Sequence, residues 1–267
     1  MPAAGGATTH PMLTALVRVP SRRLPDCELS FLERAPIDVG EARAQHRAYQ
    51  AALRAAGARV TELPPLDELP DATFVEDTAI VLDECAILSP MGAISRQPES
   101  TSMAAALAAH RRLEWLRAPA TLDGGDVLRL GGSIYVGQTP RTNAAAVSQL
   151  RAIVEPLGYA VTEVPISQCL HLKSACARLD DETVLVNPEW VGPDVFGGRR
   201  IVPVARDEPW GANAVRVGAA IIFPASAPGT QAIVGASGFP TAAVDVSELQ
   251  KAEAGVTCLS LVFESAA

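Results

Sequence analysis

Five short stretches of this 267-residue chain hold the side chains that can do chemistry. They are PDATFVED (70–77), TLDGGD (121–126), LHLKS (170–174), WGAN (210–213) and GVTCLSLVF (255–263). Between them they offer Asp71, Glu76, Asp77, Asp123, Asp126, His171, Asn213 and Cys258. A thiol, an imidazole and several carboxylates are the parts of nucleophilic catalysis on a cation. Taken singly, each has a plain structural explanation. Free cysteine is among the most buried residue types. His171, between Leu170 and Leu172, is equally read as a satisfied packing histidine. Asp123-Gly-Gly-Asp126 is equally read as a turn, and the acids of FVED as turn caps or solvent-facing charges. Strand alternation favours chemistry for the cysteine. Read as a strand, TCLSLVF puts Leu259, Leu261 and Phe263 on a core face and Cys258, Ser260 and Val262 on the other.

A weak internal repeat supplies the elements that must position these residues. GARVTELP (57–64) matches GYAVTEVP (158–165) at Gly, Val, Thr, Glu and Pro. Each follows an Ala-rich segment with helical spacing that ends at a glycine, at 41–56 and 143–157. Short alternating runs around turn residues predict hairpins over 77–90, 126–140, 174–188 and 213–224. Their starts at Asp77, Asp126, Ser174 and Asn213 are 49, 48 and 39 residues apart. The unit is hairpin, helix, strand. A first strand at 13–20 and a closing strand at 257–263 complete five units of a circular α/β architecture. In such a wheel the polar hairpin starts converge on one mouth near the axis. An ordinary α+β domain with several hairpins remains the alternative at this point.

Composition narrows the partners. The chain is 48% hydrophobic and 19% charged with a net charge of −8, which fits a globular protein and disfavours nucleic acid or an anionic membrane surface. No apolar run approaches the ~20 residues that span a bilayer. The stretch MPAAGGATTHPM lacks a signal-peptide pattern. Five scattered cysteines fit reduced thiols in a cytoplasm better than a disulfide framework. Cys27, Cys85, Cys169 and Cys176 carry no functional expectation, and Lys173 and Ser174 are left without a role. Four histidines and no CxxC pair give poor support to a zinc site. The chain is expected to form one domain over 1–267.

With these motifs in hand, the chain resembles the guanidino-group-modifying enzymes, and within them the dimethylarginine dimethylaminohydrolase family. The resemblance rests on PDATFVEDTAIV (70–81), LDGGDVL (122–128), VGQTPRTN (136–143), LHLKSACA (170–177) and GVTCLSLVF (255–263), with IDVGEARAQHRAY (37–49) and SELQKAE (247–253) similar too. The motifs run in the family's order and cover almost the whole chain. The resemblance implies a five-bladed α/β propeller around a central substrate channel, in agreement with the repeat. WVGPDVFGGRR (190–200) has no counterpart in it.

The resemblance also implies roles. Cys258 would be the nucleophile, His171 the general acid and base, and Asp123 the group that orients His171. Asp77, with Glu76 and Asp71, would hold the guanidinium. Arg96 and Arg141 would bind the α-carboxylate, and the backbone carbonyls of Leu29 and Ala252 would lie near the α-amine. The loop SRRLPDCELS (21–30), a mobile lid in relatives, aligns poorly, which bears on Leu29. Leu259 follows the nucleophile, so no adjacent second thiol competes there. The implied reaction turns Nω-methylated arginine into citrulline and a methylated amine through a covalent thiouronium on Cys258. No metal or organic cofactor is required, although zinc could bind the thiol adventitiously. A small cationic amino acid is the expected partner, and a homodimer the expected assembly. A deiminase of unmodified arginine or another guanidino compound and an amidinotransferase share the motifs; the short chain favours the hydrolase. Cys258, His171 and Asp123 together weigh against a non-catalytic propeller used as a binding module.

Overall fold

The computed structural model describes residues 12–265. Residues 1–11, most of the stretch expected to lack a leader, lie outside that range.

Among the described residues, fifteen strands form five three-stranded sheets. The first strand, β1 (Met12–Arg18), leads through helix α1 (Val39–Ala55) to β2 (Arg59–Leu63). The next unit is the hairpin β3 (Ala79–Val81) and β4 (Cys85–Leu88), helix α2 (Pro98–Leu107), then β5 (Arg112–Trp115). The third repeats this order with β6 (Val127–Leu130), β7 (Ser133–Gln138), α3 (Ala144–Val154) and β8 (Ala160–Pro165). A short helix α4 (Leu172–Ala175) opens the fourth, whose strands are β9 (Cys176–Arg178), β10 (Thr183–Val186) and β11 (Arg200–Pro203). The fifth has β12 (Val215–Val217), β13 (Ala220–Pro224), α5 (Pro228–Ala236) and β14 (Thr241–Val244). The one-turn helix α6 (Ser247–Gln250) precedes the last strand, β15 (Leu261–Ser265).

Each sheet has the same grammar. An antiparallel pair is followed by a third strand parallel to the middle one. A two-residue turn closes an antiparallel pair, whereas a parallel neighbour needs a long crossover, which the helices provide. The first sheet completes the same pattern from both ends of the chain. There β15 pairs antiparallel with β1, Met12 opposite Ser265 and Leu16 opposite Leu261, and β2 runs parallel to β1. The four expected hairpins all form. Gly131 and Gly218 take φ of +57° and +60° at two of the turns, a region open to glycine at little cost. Helices α1 and α3 start where expected, capped by Asp38 and Asn143 side chains that accept the Glu41 and Ala146 amides.

The core is divided into five seams, one between each pair of neighbouring sheets. Val127 and Ile134 of the third sheet pack with Ile80 and Ile87 of the second. Val184 and Val186 of the fourth pack with Leu130 and Tyr135 of the third. Val217 and Ile222 of the fifth return to Ala15 and Val17 of the first. The remaining two seams join the first sheet to the second and the fourth to the fifth. Five blades with five apolar seams close the ring and make a five-bladed α/β propeller.

Two expectations need adjusting. The fourth blade has no crossover helix. WVGPDVFGGRR folds instead as a loop with a single turn at Pro193–Phe196, ended by Gly197 and Gly198 at φ +64° and +81°. Trp190, Val191 and Phe196 cover the seam that a helix covers elsewhere. The lost helix accounts for the shortest repeat interval, 39 residues. The second concerns Cys258, which lies in a turn and not within a strand, because β15 starts only at Leu261. Leu259, Leu261 and Phe263 are buried as the alternation implies, but Ser260 is buried too, bonded to Tyr49 Oη at 2.7 Å.

Candidate active site

A short helical turn precedes the first strand of blades two to five: Val75–Thr78, Gly124–Asp126, Leu172–Ala175 and Pro209–Ala212. The first touches the second, the second touches α4, and α4 touches the fourth, so the turns lie around one end of the axis. The turn carrying Cys258 precedes β15 in the first blade in the same way. The polar stretches of the sequence are therefore brought together by the repeat itself.

His171 lies at the centre of this cluster, at the N-cap of α4. Its Nε2 is 3.1 Å from Asp123 Oδ2 and its Nδ1 is 3.7 Å from Asp77 Oδ1. All three residues are buried. Asp123 is held in turn by the Gly92 amide at 2.8 Å, and Asp77 by the Gly125 amide at 3.1 Å. Two glycines of LDGGD make the approach possible. A Cβ on Gly125 would sit 2.6 Å from Asp77 Oδ1 and 2.7 Å from His171 Nδ1. One on Gly124 would strike the Glu76 carbonyl. Asp126 fixes the backbone beside the histidine. It accepts from the Leu172 amide at 3.2 Å and from the hydroxyls of Thr139 and Thr142 at 2.5 and 2.7 Å. Burial alone would lower the pKa of His171, but Asp77, Asp126 and Asp123 outweigh it and raise it to about 9. At neutral pH the ring is an imidazolium. Burial also works to raise Asp77, yet His171 and Arg96 hold it below the ordinary carboxylate range.

Cys258 is half-buried, whereas the other four cysteines are buried. Its position is set by the backbone. The Glu76 amide donates to the Cys258 carbonyl at 3.2 Å. Asn213 grips Thr257 twice, accepting from its amide and donating to its hydroxyl, both at 3.1 Å. A Cβ on Gly255 would collide with the Asn213 side chain, so the loop needs glycine there. The thiol lies 3.8 Å from the Thr257 hydroxyl, and the Gly255 backbone also acts on it. Burial first, then the negative charges of Glu76 and Asp77, push its pKa up to about 12. At neutral pH the thiol is therefore protonated.

The other acids surround this pair. Glu76 forms an ion pair with Lys173 at 2.7 Å through Oε1, while its Oε2 is buried without a partner. Burial raises its pKa, with Lys173 opposing. Asp71 is buried, and its Oδ2 accepts the Glu28 amide at 3.2 Å. Arg141 lies at the rim, 3.8 Å from Asp123 and 3.3 Å from the Ser30 hydroxyl. Leu29 is half-buried in the loop above the site, and Ala252 is buried just after α6. A cavity of about 490 Å³ lined by residues of β3, β6, β9, β12 and β15 reaches Glu76, Lys173 and Thr257. Asp77, Asp123 and His171 put ligand-type atoms within 4.8 Å of one another. His171 already bridges the two carboxylates, whose other contacts are N–H donors, so the set reads as a charge-paired triad.

Arg96 is placed differently from an open carboxylate clamp. Its guanidinium is buried and already engaged. It donates to Asp77 at 2.8 Å, to Glu99 at 3.1 and 3.0 Å, and to the carbonyls of Asp71 and Phe74. In this arrangement it holds Asp77 in place. Replacing Arg96 with alanine leaves the buried Glu99 carboxylate unpaired and Asp77 with His171 as its one close cation, so a loss of about 3–5 kcal/mol in stability is expected. Urea unfolding of the variant measures it, and an unchanged midpoint would show these pairs to be dispensable. Glu99, Asp126, Asn213 and Lys173 complete the site without a role assigned from sequence. The only sequence signal for Asp126 and Asn213 was their place at hairpin starts.

Comparisons with known proteins agree with the fold. The arginine deiminase family model matches residues 64–202. The N(G),N(G)-dimethylarginine dimethylaminohydrolase of Streptomyces coelicolor is 42% identical over 94% of this chain and 97% of its own length. The enzyme of the same name from Pseudomonas aeruginosa is 34% identical over 93% of this chain and 98% of its own. A solved structure of a cysteine-to-serine mutant of the Pseudomonas aeruginosa enzyme, complexed with citrulline, superposes with a TM-score of 0.88. It is 32% identical and covers 94% of this chain and all of that one. The chain belongs to the arginine deiminase family, and within it to the dimethylarginine dimethylaminohydrolases.

Proposed function

We propose that this protein hydrolyses Nω-methylated arginine to citrulline and methylamine or dimethylamine, with Cys258 as nucleophile and His171 as acid and base. The observation that carries this is a half-buried Cys258 thiol in the field of Asp77, which belongs to a buried triad with His171 and Asp123. The activity named for the relatives at 42% and 34% identity supports it.

A guanidinium stays protonated near neutral pH and its carbon is a poor electrophile. Carboxylates can fix its plane by charge-assisted hydrogen bonds. Glu76, with a buried unpartnered oxygen, and Asp77 and Asp71 are proposed for this work. Arg141 at the rim is proposed for the α-carboxylate, and the Leu29 and Ala252 carbonyls for the α-amine. Arg96, proposed beside Arg141 on sequence grounds, reaches the carboxylate only if it leaves Asp77 or Glu99. The cation also resolves a problem of charge. Glu76 and Asp77 oppose a thiolate, and a bound guanidinium offsets them. His171 is already protonated at neutral pH, so the thiol proton leaves to solvent.

The thiolate then adds to the guanidinium carbon, forming the C–S bond. His171 donates its proton to the departing nitrogen as the C–N bond breaks. The thiouronium left on Cys258 is attacked by water. Neutral His171 keeps one proton of that water, and the other passes to solvent. The C–S bond breaks, citrulline leaves and the thiolate returns. No step calls for a metal or an organic cofactor.

The proposed catalytic unit is the chain over 1–267, since β1 and β15 close the first blade from both ends. No helix among the described residues is long and apolar enough to cross a membrane. A cytoplasmic setting is proposed from the five free cysteines, and a homodimer from the resemblance. The test is a substrate panel. Asymmetric dimethylarginine is expected to yield citrulline and dimethylamine in equal amounts. Turnover of unmodified arginine alone, with release of ammonia, would make the protein a deiminase.

A further inference from the structure

Glu253 makes an unusual set of contacts outside the triad. It follows Ala252 directly and has φ of +58°, a region costly for a residue with a side chain. Its carboxylate accepts three consecutive amides of the overlying loop. Ser30 N lies 2.8 and 2.9 Å from the two oxygens, Phe31 N 2.5 Å and Leu32 N 2.6 Å from Oε1. Successive amides converging on one anion form a nest. The loop has no helix or strand to hold it over 28–32, and Phe31 and Leu32 are 51% and 43% exposed. Its other ties are few: the Glu28 amide to Asp71, Ser95 to the Glu28 carboxylate, and Arg141 to Ser30.

The adjacency matters. Leu29 directly precedes the first amide of the nest, and Ala252 directly precedes Glu253. One carboxylate therefore ties together the two backbone segments that approach the site from opposite ends of the chain. We propose that Glu253 is a positioning residue that sets the spacing of the Leu29 and Ala252 carbonyls, and so fixes the α-amine end of the substrate. This rests on the reading in which those two carbonyls hold the α-amine. A carboxylate suits the task because it only accepts, with room for several donors. Glutamine would turn its own N–H groups toward part of the nest.

The test compares Glu253→Ala and Glu253→Gln with the conservative Glu253→Asp. Two substrates are used: Nω-methylarginine and its analogue lacking the α-amine, the latter as substrate or competitive inhibitor. In Glu253→Ala the KM for methylarginine is expected to rise roughly tenfold to a hundredfold, with kcat far less affected. The constant for the analogue stays as in the parent, because it has no α-amine to misplace. Hydrogen exchange at Ser30, Phe31 and Leu32 is expected to quicken in Glu253→Ala and Glu253→Gln, and Glu253→Asp to recover part of both effects. Unchanged exchange at the three amides would overturn the nest. An equal loss for both substrates would overturn its link to the α-amine. Should the parent act only on unmodified arginine, the reading of the substrate fails, and the same comparison with arginine and its des-amino analogue still decides the role of Glu253.

Discussion

Replacing Cys258 with serine is expected to abolish turnover, by roughly 10⁴-fold or more, without moving the thermal midpoint. Both halves follow from how the residue is held. The turn is anchored by main-chain contacts at Cys258 and by Asn213 on Thr257, and none of these uses the sulfur. Serine keeps every one of them. It lacks the nucleophilicity of a thiolate and cannot ionise in a site that already resists charge. Steady-state assays and calorimetric melting check the two halves, and retained turnover would remove the cysteine from the mechanism. The same physics sets a pH dependence. Burial and two neighbouring carboxylates favour the protonated thiol and push its pKa up to about 12. Raising the pH releases that proton, so alkylation of Cys258 by iodoacetamide in the empty protein should climb steadily from neutral pH upward. A plateau at neutral pH would mean that the thiolate exists before any cation binds, and the bound guanidinium would lose its proposed part in forming it.

The chemistry of this site was legible in the sequence to the extent that it followed the repeat. Turn pairs such as Gly131-Gly132 and period-two runs mark the hairpins, and the hairpin starts carry Asp77, Asp123 and His171 to one end of the axis. The seams between blades follow from the same alternation. The missing helix of the fourth blade was visible only as an unplaced segment. Pro193, Gly197 and Gly198 argue against a helix there, yet the burial of Trp190 and Phe196 in its place depends on the neighbouring blade. Cys258 shows where alternation misleads. Val256-Thr257-Cys258 has strand-like composition, but β1 offers partners only to residues 261–265. The preceding residues bend to meet Asn213 instead. Contacts of this kind join residues far apart in the chain through one side chain and one amide, and leave no periodic trace. The grip of Glu253 on Ser30 belongs to the same class, and that of Arg96 on Asp77, side chain to side chain, is equally aperiodic.

His171 carries the second large effect. Its removal is expected to slow the first half of the reaction and to halt the second, so that a covalent adduct builds up on Cys258. As an imidazolium in the resting site it is set up to protonate the leaving amine, and only after doing so is it neutral and able to take a proton from water. Loss of a general acid and base costs roughly 10²–10⁴-fold in each step it serves. The two steps need it unequally. A methylated amine can take its proton from water as it departs, whereas water itself is a weak nucleophile toward a resonance-stabilised thiouronium. His171→Gly incubated with dimethylarginine should therefore show the adduct by intact mass, placed on Cys258 by peptide mapping and absent in Cys258→Ser. The variant also leaves Asp77 and Asp123 without their shared cation, so its melting must be recorded beside the mass. Added imidazole separates chemistry from folding, because it can restore turnover and clear the adduct only if the cavity between the two carboxylates is intact. An adduct on any other cysteine would refute the assignment of the nucleophile. Dimethylamine released once, one equivalent per protein, more slowly than in the parent and followed by no citrulline, is the signature that places His171 in both half-reactions.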